Sequence, residues 1–357
     1  MHLQVLFNRM KSKKLKFSVF FPLLLFLFNP ALSSGSDSLF VSDDVIKMEL
    51  RSDFTAIQQD RSEDPKYHDA ELIYQTPEGE KVKLSVKIMV RGNFRRDPKH
   101  CEFPPLFVNF KKSEVKNTYF ENQDRLKLVT HCQFEEDLIE EYTVYRLYNE
   151  ITDISFKVRL ARITYFDTVL NKKLFQKFSF FIEDKDHVAE RNNAFEKDRF
   201  LSPFDVDHES YKKLAVFQYM IGNKDWYVSS RKNIVIMQHS DTLKLPYAVP
   251  YDFDFSGFVN AAYTKPRGVP EDLLAERRIY KGICYTFDEF SDIVKYFEDK
   301  RPVFESIIKK QKLISLYTRK EILVYIDQFY TILGDSEMIK KEFLVNCETK
   351  KNYNIVD

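Results

Sequence analysis

The stretch from Gly222 to Gly257 restricts this chain more than any other, because it sets charge among apolar side chains. Asp225, Asn233, Asp252 and Asp254 fall within thirty residues, interleaved with runs that would otherwise be ordinary core. A carboxylate between two phenylalanines costs several kcal/mol to desolvate unless a cation or hydrogen-bond donors compensate it. Asp252 and Asp254 alternate with Phe253 and Phe255, and that pattern points to a metal ion.

Local patterning says how these residues could meet. Tyr211, Leu214, Phe217 and Ile221 recur at helical spacing, so 208–221 is expected as a helix that delivers Gly222 and Asp225 at its C-terminal end. Residues 233–237 read as a short buried strand, and 244–251, with two prolines, as an irregular or edge strand. Paired as a hairpin, the two would bring Asn233 and the aspartates to one pocket beside Asp225. The residues alone also allow a plainer reading, in which Asp225 caps a turn and Asp252 and Asp254 make structural hydrogen bonds.

The first 33 residues are a different material. Arg9, Lys11, Lys13, Lys14 and Lys16 precede an apolar run, Phe17 to Phe28, and Ala31-Leu32-Ser33 offers small residues for cleavage. This reads as a secretory signal peptide, too short for a membrane span. Its removal takes away five basic and no acidic residues, so the formal net charge moves from +1 to about −4. A slightly acidic chain is a poor nucleic-acid binder, so the expectation is no nucleic acid and no stable membrane span after cleavage. Residues 34–44 read as a disordered lead-in.

Export bears on the cysteines. Cys101 and Cys132 sit in matching contexts, each after a histidine, and are expected to form a disulfide. The rival reading is a His/Cys metal site with His100 and His131. Cys284 and Cys347 have no clear assignment.

Strands are expected at 44–50, 70–75 and 82–90, the last with unbroken apolar/polar alternation. Arg91-Gly92-Asn93-Phe94-Arg95-Arg96 follows, a Gly-Asn turn flanked by arginines and the most anion-ready stretch in the chain. Further strands are expected at 103–110, 125–129, 158–166 and 173–182, with a helix at 135–151. Helices at 287–297, 303–312, 318–333 and 337–345 complete the pattern. The expected architecture is α+β and two-lobed: a β-rich N-terminal lobe, 45–196, and an α-rich C-terminal lobe, 197–357, like a protein kinase. The lone Trp226 adjoins Asp225 and would either stack on a nucleotide base or pack the pocket floor.

A helix, then an Asp, an Asn on a short strand and a hairpin ending in Asp-Phe follow one another as the parts of a protein-kinase centre do. Arg91-Gly92-Asn93, the downstream Phe103-Pro104, the helix 135–151 and the series Asp225, Asn233, Tyr251-Asp252-Phe253-Asp254 together resemble the spore-coat CotH kinase-like family. The likeness is nearer to an exported bacterial branch with Arg-Gly-Asn-Phe-Arg-Arg, Cys-x-Phe-Pro-Pro-Leu, Lys-Leu-Val-Thr-His-Cys and Pro-Tyr-Asp-Phe-Asp-Phe-Ser-Gly.

The resemblance implies an atypical kinase-like phosphotransferase that uses Mg²⁺ and ATP, or another phosphoryl donor, on a protein or envelope hydroxyl in the periplasm or extracellular space. It makes Asp225 the catalytic Asp, which accepts the hydroxyl proton, and Asn233 with Asp252 or Asp254 the metal ligands. The donor would be held by Arg91, Gly92 and Asn93 and by Lys127 facing Glu141, with Trp226 beside the base. The alternative is a non-catalytic pseudokinase-like module that binds an envelope ligand.

Overall fold

The computed structural model describes residues 38–264 and 278–353. The expected signal peptide lies outside them. Of the expected disordered lead-in, the described part begins as a 3-10 turn, Ser38–Phe40, that buries the apolar pair Leu39 and Phe40.

Alternation builds the first half. In β3 (Lys81–Val90), Leu84, Val86, Ile88 and Val90 are buried while Lys83, Ser85 and Lys87 are exposed. It pairs antiparallel with β2 (His68–Gln75) on one side and β4 (Leu106–Phe110) on the other, in a register that sets Leu84 on Leu72 and Ile88 on Val108. β5 (Arg125–Thr130) continues the sheet, and the hairpin of β6 (Val158–Asp167) and β7 (Lys172–Ile182) joins it through β7. β1 (Ile46–Ser52) then pairs antiparallel with β2 and parallel with β6, which closes a seven-stranded barrel. Aromatic rings fill it: Phe103 lies 4.8 Å from Tyr165, and Phe110 4.5 Å from Phe120, between ring centroids. α1 (Phe54–Gln59) adds Phe54, fully buried, to this interior. Much of the chain's complement of 33 Phe and 20 Tyr is core in this sense.

α2 (Glu135–Asn149) packs against β6 and β7 and begins a second core. This core takes in α4 (His208–Met220), α5 (Phe287–Lys310), α6 (Leu316–Leu333) and the small sheet of β8 (Ala194–Glu196), β9 (Ile234–His239) and β10 (Tyr247–Pro250). α3 (Lys185–Arg191) and α7 (Ser336–Ile339), the latter running into a π-helical turn, Lys340–Val345, complete the described helices. β9 and β10 form the expected hairpin, with Val235 opposite Val249. Where two helices were expected at 287–297 and 303–312, one 24-residue helix runs through with Pro302 inside it. A capping box of Thr286 and Glu289 starts it, and Phe290, Ile293, Phe297, Phe304 and Ile308 keep one face buried across the proline.

The two-lobed kinase-like architecture is overturned. The sheet is a closed, mixed barrel, and the described residues form one compact unit. The second core draws on both halves of the chain, with Tyr145 4.8 Å from Phe253 and Tyr148 4.9 Å from Phe217. Closure answers a physical need: the parallel bond to β6 satisfies the second edge of β1, which an open sheet would leave unpaired.

Two disulfides bind the described chain. Cys101–Cys132 forms as expected and occupies both sulfurs that a His/Cys metal site would need. His100 stacks on Phe94 and His131 on Phe103. Cys284–Cys347, without assignment from sequence, joins the strand-like segments around Ile283 and Glu348. Among the described residues no helix is long and apolar enough to cross a membrane.

Candidate functional site

Six segments meet at a cleft of about 540 Å³. The loop after β3 brings Arg91, Gly92, Asn93 and Arg95, β5 brings Lys127, and α2 brings Tyr145. The turn after α4 brings Asp225, the start of the hairpin brings Lys232 and Asn233, and its end brings Tyr251, Asp252 and Asp254. Of the residues expected at a site, all but Glu141 and Trp226 line it directly.

Local backbone geometry sets these positions. Gly92 has φ +81°, and Arg91 N donates to Pro105 O at 2.9 Å, so the arginine loop is pinned at its base. Gly222 has φ +67°, and a Cβ there would lie 2.0 Å from the Tyr325 hydroxyl, so only glycine fits. Its carbonyl accepts from Gly257 N at 3.2 Å, and Ile221 O accepts from Phe258 N at 2.9 Å, which fixes the Asp225 turn against the Asp254 segment. Asn233 and Asp252 both take left-handed backbone, φ 54° and 64°. Asp252 N donates to the Tyr145 hydroxyl at 2.8 Å.

The acids differ in what they touch. Asp225 is well partnered: Asn233 Nδ2 donates to its carbonyl at 2.7 Å and to Oδ2 at 3.1 Å, and Lys232 pairs with Oδ1. Asp254 is buried, and its Oδ2 accepts from the Tyr263 hydroxyl at 3.0 Å. Burial, then the charge of Asp252, pushes its carboxyl up to about 7 against the pull of Arg95. Glu141, 2% exposed, is held well above the ordinary carboxyl range by burial and by Asp254 and Asp252, and its Oε1 has no hydrogen-bond partner.

The cations face these acids. Arg95 lies 3.7 Å from Glu141 and donates to Thr130 O. Burial opposes its charge, but Tyr263, Glu141, Asp254 and Asp252 outweigh burial and hold the guanidinium protonated. Arg91 sits over the Phe107 ring at 5.4 Å. Lys127 lies over Tyr251 at 4.4 Å, and burial, helped by Arg91, lowers its ammonium to about 8.

Two expectations need correction. Glu141 pairs with Arg95 and not with Lys127, because Arg95 sits on the loop that the disulfide draws toward β5 and so reaches α2. Trp226 does not reach the cleft: it is 1% exposed, packed 6.1 Å from Tyr211 in the second core. Sequence reasoning left out Arg95, Tyr145 and Tyr263 as site residues. The first had a signal, four residues from Arg91 in the same basic turn, and Tyr145 had a weaker one, a helical turn beyond Glu141 on one face of α2. Tyr263 had none.

Asp252, Asp254 and Asn233 line one cleft, and Asn233 spends its amide nitrogen on Asp225. Carboxylate and amide oxygens are the ligands that a hard divalent cation such as Mg²⁺ takes. Among the described residues no group of three or more His, Cys, Asp or Glu is arranged as a ready metal site, so an ion here would also draw ligands from solvent or substrate. No protein-family model matches the chain, and no curated protein matches it.

Proposed function

We propose that the cleft transfers a phosphoryl group from ATP or another phosphoryl donor to a hydroxyl of a protein or envelope component, with Mg²⁺, and that its motifs are those of a CotH-type phosphotransferase carried on a barrel framework. The supporting observation is the convergence of Arg91, Arg95 and Lys127 with Asp225, Asn233, Asp252 and Asp254 on one cleft. Cations on one wall and carboxylates on the other are what a polyphosphate and its counter-ion require. Mg²⁺, when bound, would neutralise charge on the donor's phosphates, held by Asp252, Asp254 and Asn233. Arg91 and Lys127 would bind phosphate oxygens, and Arg95, kept charged by its acidic surroundings, would orient them. Asp225 would accept the proton of the acceptor hydroxyl. Two disulfides are compatible with an exported protein, and we place its work in the periplasm or extracellular space.

A second reading has its own support. Asp225 is held by Asn233 and Lys232, which suits a non-catalytic binding module as well as a base. Calorimetry of residues 34–357 with Mg-ATP, followed by a phosphoryl-transfer assay on envelope extract, separates the two. Binding that Asp254→Asn weakens at least tenfold, with transfer abolished by Asp225→Asn, supports the enzyme. Binding without transfer supports the module, and absence of heat with any nucleoside or inorganic polyphosphate removes both phosphate readings.

A further inference from the structure

On α2, Glu140 and Glu141 are both buried, yet they serve different spaces. Glu141 reaches Arg95 in the cleft, whereas Glu140 lines a separate groove of about 620 Å³ between α2 and α6, floored by Gly257 to Asn260. Glu136 and Asp137 lie on the same face of α2, at helical spacing from Glu140, and α6 contributes Glu321. Lys320 is the only cation lining the groove among the described residues. Glu136 is already engaged, accepting from Ser315 N and from Thr318 Oγ1 at 3.2 Å, and so closes one end. Glu140 is different: it is 5% exposed, and among the described residues its carboxyl has no hydrogen bond or ion pair. The groove also has an apolar rim, since Tyr317 and Val324 are 71% and 61% exposed along it.

An acid that is nine-tenths buried, unpartnered and turned into a groove of acids with an apolar rim is complementary to one chemistry. We propose that the α2–α6 groove binds an aliphatic ammonium ion, a primary amine on a short apolar stem, with Glu140 as its counter-charge and Tyr317 and Val324 against the stem. The ion's source is either a free alkyl diamine or a lysine side chain of a partner. Electrostatics make the binding proton-linked. Burial, then Asp137, Glu136 and Glu321, raise the Glu140 carboxyl to about 9, so it is protonated at neutral pH in the empty groove. The other titratable groups facing it are Lys320, Tyr317 and Tyr325 on α6, while the 257–260 floor supplies none. An arriving ammonium stabilises the carboxylate and expels its proton, so affinity rises with pH up to about 9.

The test is isothermal titration of residues 34–357 with cadaverine, with a short peptide bearing one lysine, and with 1-pentanol, in two buffers of different ionisation enthalpy. Saturable binding of either amine at pH 7 with release of about one proton supports the site, and the amine that binds identifies the source. Glu140→Gln, which matches the neutral acid in shape and so keeps the fold, is expected to weaken that binding about tenfold or more and to remove the proton release. Three outcomes would overturn the proposal: no saturable heat from either amine, equal binding of 1-pentanol, or affinity unchanged in Glu140→Gln.

Discussion

Two buried aspartates, one at the end of a barrel strand and one in the cleft, show what the fold does with a carboxylate it needs for structure. At the end of β6, Asp167 is enclosed by donors: Val169 N at 2.9 Å, Leu170 N at 2.7 Å, and Thr55 N at 3.2 Å with the Thr55 hydroxyl at 3.4 Å. Burial pushes its carboxyl up, but these backbone bonds outweigh burial and hold it below the ordinary range. In the cleft, Asp254 has the Tyr263 hydroxyl and the pull of Arg95 but no backbone amide among the described residues, and burial with Asp252 moves it the other way. The chain therefore has the means to satisfy a buried acid and withholds them in the cleft. That difference argues against a purely structural role for the Asp252 and Asp254 pair, since structural acids collect amides.

The contrast can be broken most directly by Asp167→Asn, which puts an amide nitrogen against backbone donors. Urea denaturation is expected to show a loss of about 3 kcal/mol, while Asp254→Asn leaves stability level or slightly raised; equal losses at the two positions would erase the distinction. Mg²⁺ at a hundred times its dissociation constant should stabilise the parent by about 2.7 kcal/mol, read as a rise in melting temperature at pH 8, and Asp254→Asn should lose most of that rise. An unchanged melting curve in the parent would mean the donor set holds no ion.

Acidity gives a smaller effect. Because the folded carboxyl of Asp254 lies above its unfolded value, the native state binds more protons between about pH 4 and 7, and stability falls as pH rises through that window. For one such group the slope is at most about 1.4 kcal/mol per pH unit, and Asp254→Asn should flatten it. Asp167, depressed in the folded state, contributes stability that is present above its unfolded value and fades on acidification below it. The smallest effect is expected from Glu141→Gln: burial holds the Glu141 carboxyl well above the ordinary range, so the amide stands in for an acid that is already neutral, and stability should change by under about 1 kcal/mol while the Asp254 carboxyl, read by NMR, keeps its titration. A clear downward move of the Asp254 titration would show that Glu141 carries its charge in the parent.

What was legible in the sequence was what local pattern encodes. The β9–β10 hairpin could be read because its two runs are neighbours in the chain, and with it came Asn233, Asp252 and Asp254 beside Asp225. The alternation of β3 and the helical spacing of α2 and α4 were equally plain. The barrel was not legible, because its decisive contact joins Ile46 to Ala161 and no short-range pattern marks that pairing. For the same reason Lys127 was assigned to Glu141: choosing between two cations requires knowing where a disulfide-tethered loop lands. Pro302 misled as well, since a buried stripe long enough on both sides carries a helix through a missing hydrogen bond.

The parallel seam between β1 and β6 also orders events in time. β1 is the first strand of the barrel, yet its second neighbour ends at Asp167, so the ring cannot shut until that far segment arrives. Until then Ile46–Ser52 carries an open edge, and a long loop must be closed before the seam repays it. The arginine loop hangs between β3 and β4, inside the antiparallel run that local pairing can assemble, whereas α2 is docked on the late-arriving β6 and β7. The cationic wall of the cleft can thus stand before the barrel is complete, and Arg95 meets Glu141 only as the ring shuts.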